Sequence, residues 1–452
     1  MVFPWLRLPF LFLFHLLFAS AQLCEIPAGA LELIQTLNSE LLKVAGDESQ
    51  EPNPSLYLAL RLSSQHNLEK EREYLNRLRD VFQPQSSSPG MPSDLSPRKK
   101  PGTGELALYL LALRAACQDM DTPEGNRMVT RLKLLLNKEM KQIGHKEKGH
   151  PITNYYQYSL GILALCIHNK RTDPEVIRKL LSAEHNGRFY HHQTLSVDTE
   201  AMAGLAFVCL KQSPTYPHNL QVGVRRAVKR AKAKILEART PRGFYGNIYS
   251  SPLALQFLSA VGMRQDQQEF SSSMAALRQR LEQGDFQNNL IRSQLLPALY
   301  CKSYLDIASM VCQTQTDSSI PDLSLQKPLG IDPTQNISVR LEARKASKLL
   351  YQNVLVVPLG STLLDVLEAA AKYVLQPLRF ETQKTLSGPM LTGVMGEKPQ
   401  EGERRYWRIL QHPNSSLDQG EGWILACGAG CRGARRCHLG KHLWGRHPNM
   451  DP

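Results

Sequence analysis

The sequence predicts a mainly α protein, an (α/α)6 barrel followed by a small α+β, β-rich domain. Three observations carry this. Six apolar segments of similar make-up recur along the first two thirds of the 452 residues, basic amphipathic segments alternate with them, and beyond residue 330 the hydrophobic period changes from helical to alternating.

The recurring segments are "SLYLALRLSS", "ELALYLLALRAAC", "YYQYSLGILALC", "VDTEAMAGLAFVCLK", "SSPLALQFLSA" and "IRSQLLPALYC", each with a central alanine: Ala59, Ala112, Ala164, Ala206, Ala254 and Ala298. The intervals of 53, 52, 42, 48 and 44 residues suit a helix–turn–helix unit. Segments apolar on nearly every side are helices buried on both faces. Between them lie "MVTRLKLLLNKEMKQIG", "VGVRRAVKRAKAKILEA" and "SSSMAALRQRLEQG", apolar on one face and charged on the other. Six inner helices alternating with six outer ones close into a barrel, because an open stack would need polar caps at its ends. The small central alanines let the inner helices approach closely, and polar residues at the helix ends line a shallow mouth.

The organisation along the chain follows. Residues 1–21 form a signal peptide, with Arg7, an apolar run and the small-residue pattern Ala19-Ser20-Ala21 before the cut. Residues 22–312 make the barrel, interrupted by a Pro- and Ser-rich surface loop at 84–104, and 313–330 a linker. Residues 331–420 make the small domain. In it "ISVRLEA" and "NVLVVP" read as strands, "STLLDVLEAAAKYV" as a helix capped by Ser361, and "RFETQKTLSGPMLTGVMG" and "RRYWRILQ" as extended chain. Residues 421–452, rich in Gly, Arg, His and Cys, form a tail without strand periodicity.

A secreted, extracellular chain lets cysteines pair. All nine lie beyond the cut, and the odd count leaves at least one thiol free or bonded to another molecule. The formal net charge of +13 is scattered, and the densest basic stretch, "RRAVKRAKAK" (225–234), lacks interleaved aromatics and reads as a solvated helix face. That disfavours nucleic acid as a partner and favours an acidic surface or receptor. No segment after the signal peptide is apolar enough to insert in a membrane, and a monomer is expected.

The stretch "YHHQTLSVDTEAMAG" (190–204) sets two histidines beside two carboxylates at a helix start. Ser196 or Asp198 can cap that helix. A zinc site would need three or four convergent ligands, and His191-His192 has no such companions. Nor do Cys427, Cys431, Cys437 and His438 in the tail have the spacing of a standard zinc site. Barrels of this kind also host glycoside hydrolases with paired acids at the mouth. Here Glu105, Asp198 and Glu200 are the only obvious candidates, with no partner acid placed opposite, so no catalytic residues are assigned.

"LCEIP", "GHPITNYYQYSLGILALC", "SVDTEAMAGLAFVCLK", "YGNIYSSPLALQFL", "SQLLPALY" and "TLSGPMLTGVMG" together, in this order, resemble the cobalamin carrier family. The resemblance runs from about Cys24 to about Gly420. It implies a non-enzymatic secreted protein whose barrel and small domain enclose cobalamin (vitamin B12, a cobalt corrinoid), and whose loaded form is taken up by a cell-surface receptor with acidic ligand-binding modules. A receptor-binding module that has lost its ligand is the alternative. The ligand fits the residue types, since a broad apolar disc fringed with amides wants neutral donors and acceptors rather than charges.

What the resemblance carries over are ligand contacts at Thr153, Asn154, Tyr155, Tyr156, Gln157, Ser196, Asp198, Asn247, Ser250 and Gln294 on the barrel, and at Leu386 to Gly388, Trp407, Arg408 and Ile409 on the small domain. Glu105 stands where the family has glutamine, and a carboxylate can accept but not donate unless protonated. The cobalt, already bound by four ring nitrogens, needs one further donor, implied to be His192 or His191. "QTL" (193–195) separates the pair from "SVD", which it abuts in the family. Two disulfides carry over, Cys117–Cys312 and Cys166–Cys209. Cys24 lacks its usual partner near residue 270, leaving open whether Cys301 replaces it. The family ends in a hairpin that the tail does not resemble, and its loss would leave an open sheet edge. Asn336-Ile337-Ser338 and Asn414-Ser415-Ser416 are glycosylation triplets.

Overall fold

The computed structural model describes residues 26–83, 101–144, 149–191, 194–264, 266–312, 316–317, 336–345, 348–358, 361–385, 388–398, 407–411, 415–417 and 435–441. The expected signal peptide, most of the 84–104 loop and nearly all of the 313–330 linker lie outside the described residues.

Among the described residues, twelve α-helices build the first body. Six are outer: α1 (Ala28–Gly46), α3 (Leu68–Phe82), α5 (Pro123–Ile143), α7 (Pro174–His185), α9 (His218–Glu237) and α11 (Gln268–Glu282). Six are inner: α2 (Pro54–Leu62), α4 (Thr103–Ala115), α6 (Tyr155–Ile167), α8 (Val197–Gln212), α10 (Ser251–Ala260) and α12 (Asn289–Leu299). Each inner helix packs on the next, and α12 packs on α2, so the ring closes. The six central alanines all fall on inner helices and are buried. Every residue of α2 is buried, whereas α5 and α9 bury one stripe, as their periodicities require. Gly204 on α8 shows how tight the ring is, because a Cβ there would overlap the Phe257 ring of α10.

The loop before α4 ends earlier than its composition suggests, because Thr103 and Gly104 already belong to the helix and are buried. Cys117–Cys312 and Cys166–Cys209 are both formed, joining the ends of neighbouring parts of the barrel. Among the described residues, no helix is long and apolar enough to cross a membrane.

The second body has its own core of Val339, Leu341, Ala343, Tyr351, Leu355, Val357, Val366, Leu367, Ala370 and Trp407. Strands β3 (Asn336–Lys345) and β4 (Lys348–Pro358) form an antiparallel hairpin. Helix α13 (Leu363–Ala371) follows, then a separate ladder of β5 (Phe380–Thr385) and β6 (Gly388–Val394). Thr362, not Ser361, caps α13. Both side chains can cap, but Asp365 stands three residues after Thr362 and completes the reciprocal pair of hydrogen bonds.

The tail departs from expectation more strongly. Strand β9 (Arg435–Lys441) lies between β3, to which it is parallel, and β7 (Trp407–Gln411), to which it is antiparallel. With β8 (Ser415–Leu417) the order is β4-β3-β9-β7-β8. So the tail does contain a strand, and β3 is paired on both sides rather than left as an open edge. The ladder is made by backbone groups, so a segment without side-chain alternation can still join it.

Candidate functional site

An outer helix returns the chain between successive inner ones, so all six inner helices run the same way and their N-terminal ends form one rim. Neutral side chains organise it. Asn53 accepts from Ser55 N, Asn154 from Gln157 N, Ser196 from Thr199 N and Asn288 from Leu290 N. Small amides and hydroxyls satisfy exposed helix N–H groups without bringing net charge.

Tyr156 and Gln294 meet over this rim. The Gln294 Nε2 donates to the Tyr156 hydroxyl at 3.4 Å, joining α6 to α12 on the opposite side of the ring. Burial, the Tyr304 hydroxyl and the Asp198 charge keep the Tyr156 phenol well above its usual range, so it stays protonated. Gln294 is itself held by α10, since the buried Gln256 donates its Nε2 to the Gln294 carbonyl at 2.9 Å. Tyr156, Gln294 and Asp198 are all half-buried and come together from three helices.

The other expected residues divide between facing the mouth and building it. Asn154 caps α6, while Thr153 does not. Instead Thr153 gives its N–H and hydroxyl to Glu139 at 3.0 and 2.8 Å. Glu139, buried on α5, also accepts from the Thr103 hydroxyl at 2.6 Å. It thereby ties the starts of α4 and α6 together, a role that an isolated glutamate in an amphipathic helix did not advertise. Tyr155 is buried, packs on Phe189, and donates its hydroxyl to Gly149 O at 3.1 Å. Gln157 is half-buried beside the cap. Ser250 is buried and donates to Tyr245 O at 2.7 Å, while Asn247 Oδ1 accepts from Tyr249 N and Ser250 N at 2.7 and 2.8 Å. Both shape the turn into α10. Glu105 accepts from Gly102 N at 2.9 Å and so closes the start of α4.

The histidine stretch folds as a short hairpin. Strand β1 (Tyr190–His191) pairs with β2 (Thr194–Leu195), His191 opposite Thr194, and Ser196 N donates to Phe189 O at 2.8 Å at its base. Thr194 and Leu195 of the three-residue insertion thus supply the second strand rather than a slack extension. His192 lies outside the described residues. Ser196 is the cap of α8, accepting from Thr199 N.

On the small domain Trp407 is fully buried in the core. A large apolar ring in a short strand gains more from burial than from half-exposure. Arg408 and Ile409 follow it in β7, and Leu386 lies outside the described residues.

The acidic candidates for hydrolysis do not pair. Glu105 caps its helix, and Glu200 is buried behind the rim against Lys234. The basic stretch 225–234 is likewise only partly a solvated face. Arg225, Arg226 and Lys229 are exposed, but Arg230 and Lys234 turn inward to buried carboxylates.

The family described as eukaryotic cobalamin-binding protein matches residues 6–333. The chain belongs to that family. It is 43% identical over 417 residues to transcobalamin-2 of Homo sapiens, covering 91% of this chain and 94% of that one. The transcobalamin-2 of Bos taurus is 42% identical over 416 residues, with the same coverage. A solved structure of haptocorrin in complex with Cbi has a TM-score of 0.70 to this chain at 24% identity, over 93% of this chain and 99% of that one. The cobalamin-binding family and this chain therefore share the helical barrel with a small second domain that the sequence predicts.

Proposed function

We propose that the chain is a secreted, non-enzymatic carrier of cobalamin, holding the corrinoid between the barrel rim and the small domain and delivering it to a cell-surface receptor. The observation that carries this reading is the meeting of Tyr156, Gln294 and Asp198 from three helices at one mouth. Two neutral hydrogen-bonding groups and one acceptor suit a ligand fringed with amides, and a protonated tyrosine and a glutamine can each donate as well as accept. Thr153, Asn154, Gln157, Ser196 and Asn247 stand along the same rim as further polar contacts. Enclosure by a second body removes far more of a disc-shaped ligand from water than one shallow mouth can.

The cobalt arrives as part of the cargo. A neutral imidazole from His192 or His191, presented on the β1–β2 hairpin, is the donor this chain would add. Family membership and the capped or buried state of Glu105 and Glu200 favour a carrier over a hydrolase. The apolar N-terminal run with its small-residue cut supports secretion, and the exposed Arg225, Arg226 and Lys229 suit an acidic receptor. Purifying the secreted chain with cobalamin, removing excess and recording the visible spectrum tests the reading. One corrinoid per chain is the expected result, and a colourless folded protein would overturn it.

A further inference from the structure

Glu139 of α5 is a buried carboxylate with three donors and, among the described residues, no cation paired to it. Its Oε1 accepts from the Thr103 hydroxyl at 2.6 Å and the Thr153 hydroxyl at 2.8 Å, and its Oε2 accepts from Thr153 N at 3.0 Å. A buried charge is costly unless hydrogen bonds satisfy it, and these three do so. The junction leaves the carboxylate little room to swing. A Cβ added at Gly161 of α6 would lie 2.9 Å from the side chain of Leu136, one turn before Glu139, and 3.2 Å from the Thr103 methyl of α4. The direction of the bonds sets what Thr153 can offer a ligand. A carboxylate only accepts, so the Thr153 hydroxyl gives its one proton to Glu139. Its other contact, the Asn154 carbonyl at 3.5 Å, also only accepts. The half-buried Thr153 oxygen therefore has lone pairs alone left for a group at the rim.

We propose that Glu139 is a positioning residue that sets ligand specificity. By taking the Thr153 proton, and by standing beside Thr153 as a buried negative charge, it makes this point of the rim accept an amide N–H and reject a carboxylate. This rests on the proposed contact between Thr153 and an amide of the corrinoid. Two hydrogen bonds laid end to end put the contacted ligand group about 5 Å from the Glu139 carboxylate, near enough for like charges to repel. A peripheral amide brings the donor that the Thr153 oxygen lacks. The same group hydrolysed to an acid brings no donor and a second negative charge.

The test is competition dialysis of the full secreted chain at neutral pH, comparing cyanocobalamin with its monocarboxylic acids, in each of which one peripheral amide is hydrolysed. At least one acid is expected to bind the unaltered chain about tenfold more weakly than cyanocobalamin, and Glu139→Gln to shrink that ratio to about threefold or less. The replacement side chain carries no charge. Turned one way, its amide donates to the Thr153 oxygen and releases the hydroxyl proton for the ligand. Thr153→Ser keeps the hydroxyl and should keep the ratio, whereas Thr153→Val should shrink it. A purely structural role for Glu139 would weaken all these corrinoids in parallel, so an unchanged ratio in Glu139→Gln overturns the proposal while the carrier reading stands. Equal binding of cyanocobalamin and every acid by the unaltered chain overturns it as well. No retention of cyanocobalamin by the folded, unaltered chain overturns the carrier reading and this proposal together. Should Glu139→Gln not fold, Thr153→Val carries the same expectation and the same overturning result.

Discussion

The Gln294 side-chain amide donates to the Tyr156 hydroxyl across the mouth of the barrel, linking two inner helices that are not neighbours in the ring. Such a bond can form only where the inner helices converge, so it marks the lumen end of the rim. Because Gln294 is the donor, the tyrosine's own proton is not spent on this contact and can serve an acceptor on a ligand.

Tyr156→Phe keeps the ring and removes that proton. A single neutral hydrogen bond contributes about 0.5–1.5 kcal/mol, so cobalamin affinity should fall by roughly 2- to 12-fold with little change in stability. Competition dialysis against the unaltered chain measures it. Equal affinities would show that Tyr156 does not touch the ligand.

Glu200 provides a pH prediction of definite sign. Burial pushes its carboxyl up from 4.5 to about 7, opposed by Lys234, reinforced by Glu184 and opposed again by Arg230. Its folded value is the higher one, so between about pH 4.5 and 7 the folded chain keeps a proton that the unfolded chain has released. This group's contribution to stability therefore declines as pH rises through that window and is level above it. Urea denaturation of the unaltered chain and Glu200→Gln across pH 4.5–8 isolates it. The unaltered chain should lose stability relative to the variant up to about pH 7, and parallel pH profiles would contradict the assignment.

Cys301, just after α12, is disulfide-bonded. Cys117 with Cys312 and Cys166 with Cys209 use four other cysteines, leaving Cys24, Cys427, Cys431 and Cys437 as possible partners. Helix α1 runs antiparallel to α12, with Glu40 of α1 paired to Arg292 of α12 at 3.2 Å, so the start of α1 lies toward the end of α12. Ile26 packs on the barrel core there, and Cys24 is two residues upstream. Peptide mapping without reduction should recover Cys24 linked to Cys301, so that the N-terminal staple is kept with a new partner. A Cys301 link to any tail cysteine would refute this.

The barrel was legible because burial on two faces leaves a strong mark, with segments apolar all round and a small residue at the closest approach. Ser196 was readable as a helix start from its place before an apolar segment. Long-range charge pairing leaves no such mark. Glu139, Arg230 and Lys234 look like ordinary members of charged outer faces, and only the packing of α5 and α9 against their neighbours shows them turned inward. Trp407 fits a ligand surface and a core equally well on sequence alone, and only the packing shows it inside the second core. Strand β9 was missed because ladder bonds are a backbone property to which side-chain periodicity is blind.

Equilibrium dialysis of the folded, secreted chain against radiolabelled cyanocobalamin tests the central claim most directly. The account predicts saturable retention of one cobalamin per chain, weakened by Tyr156→Phe. No retention by protein whose helical content and disulfides are intact would contradict it.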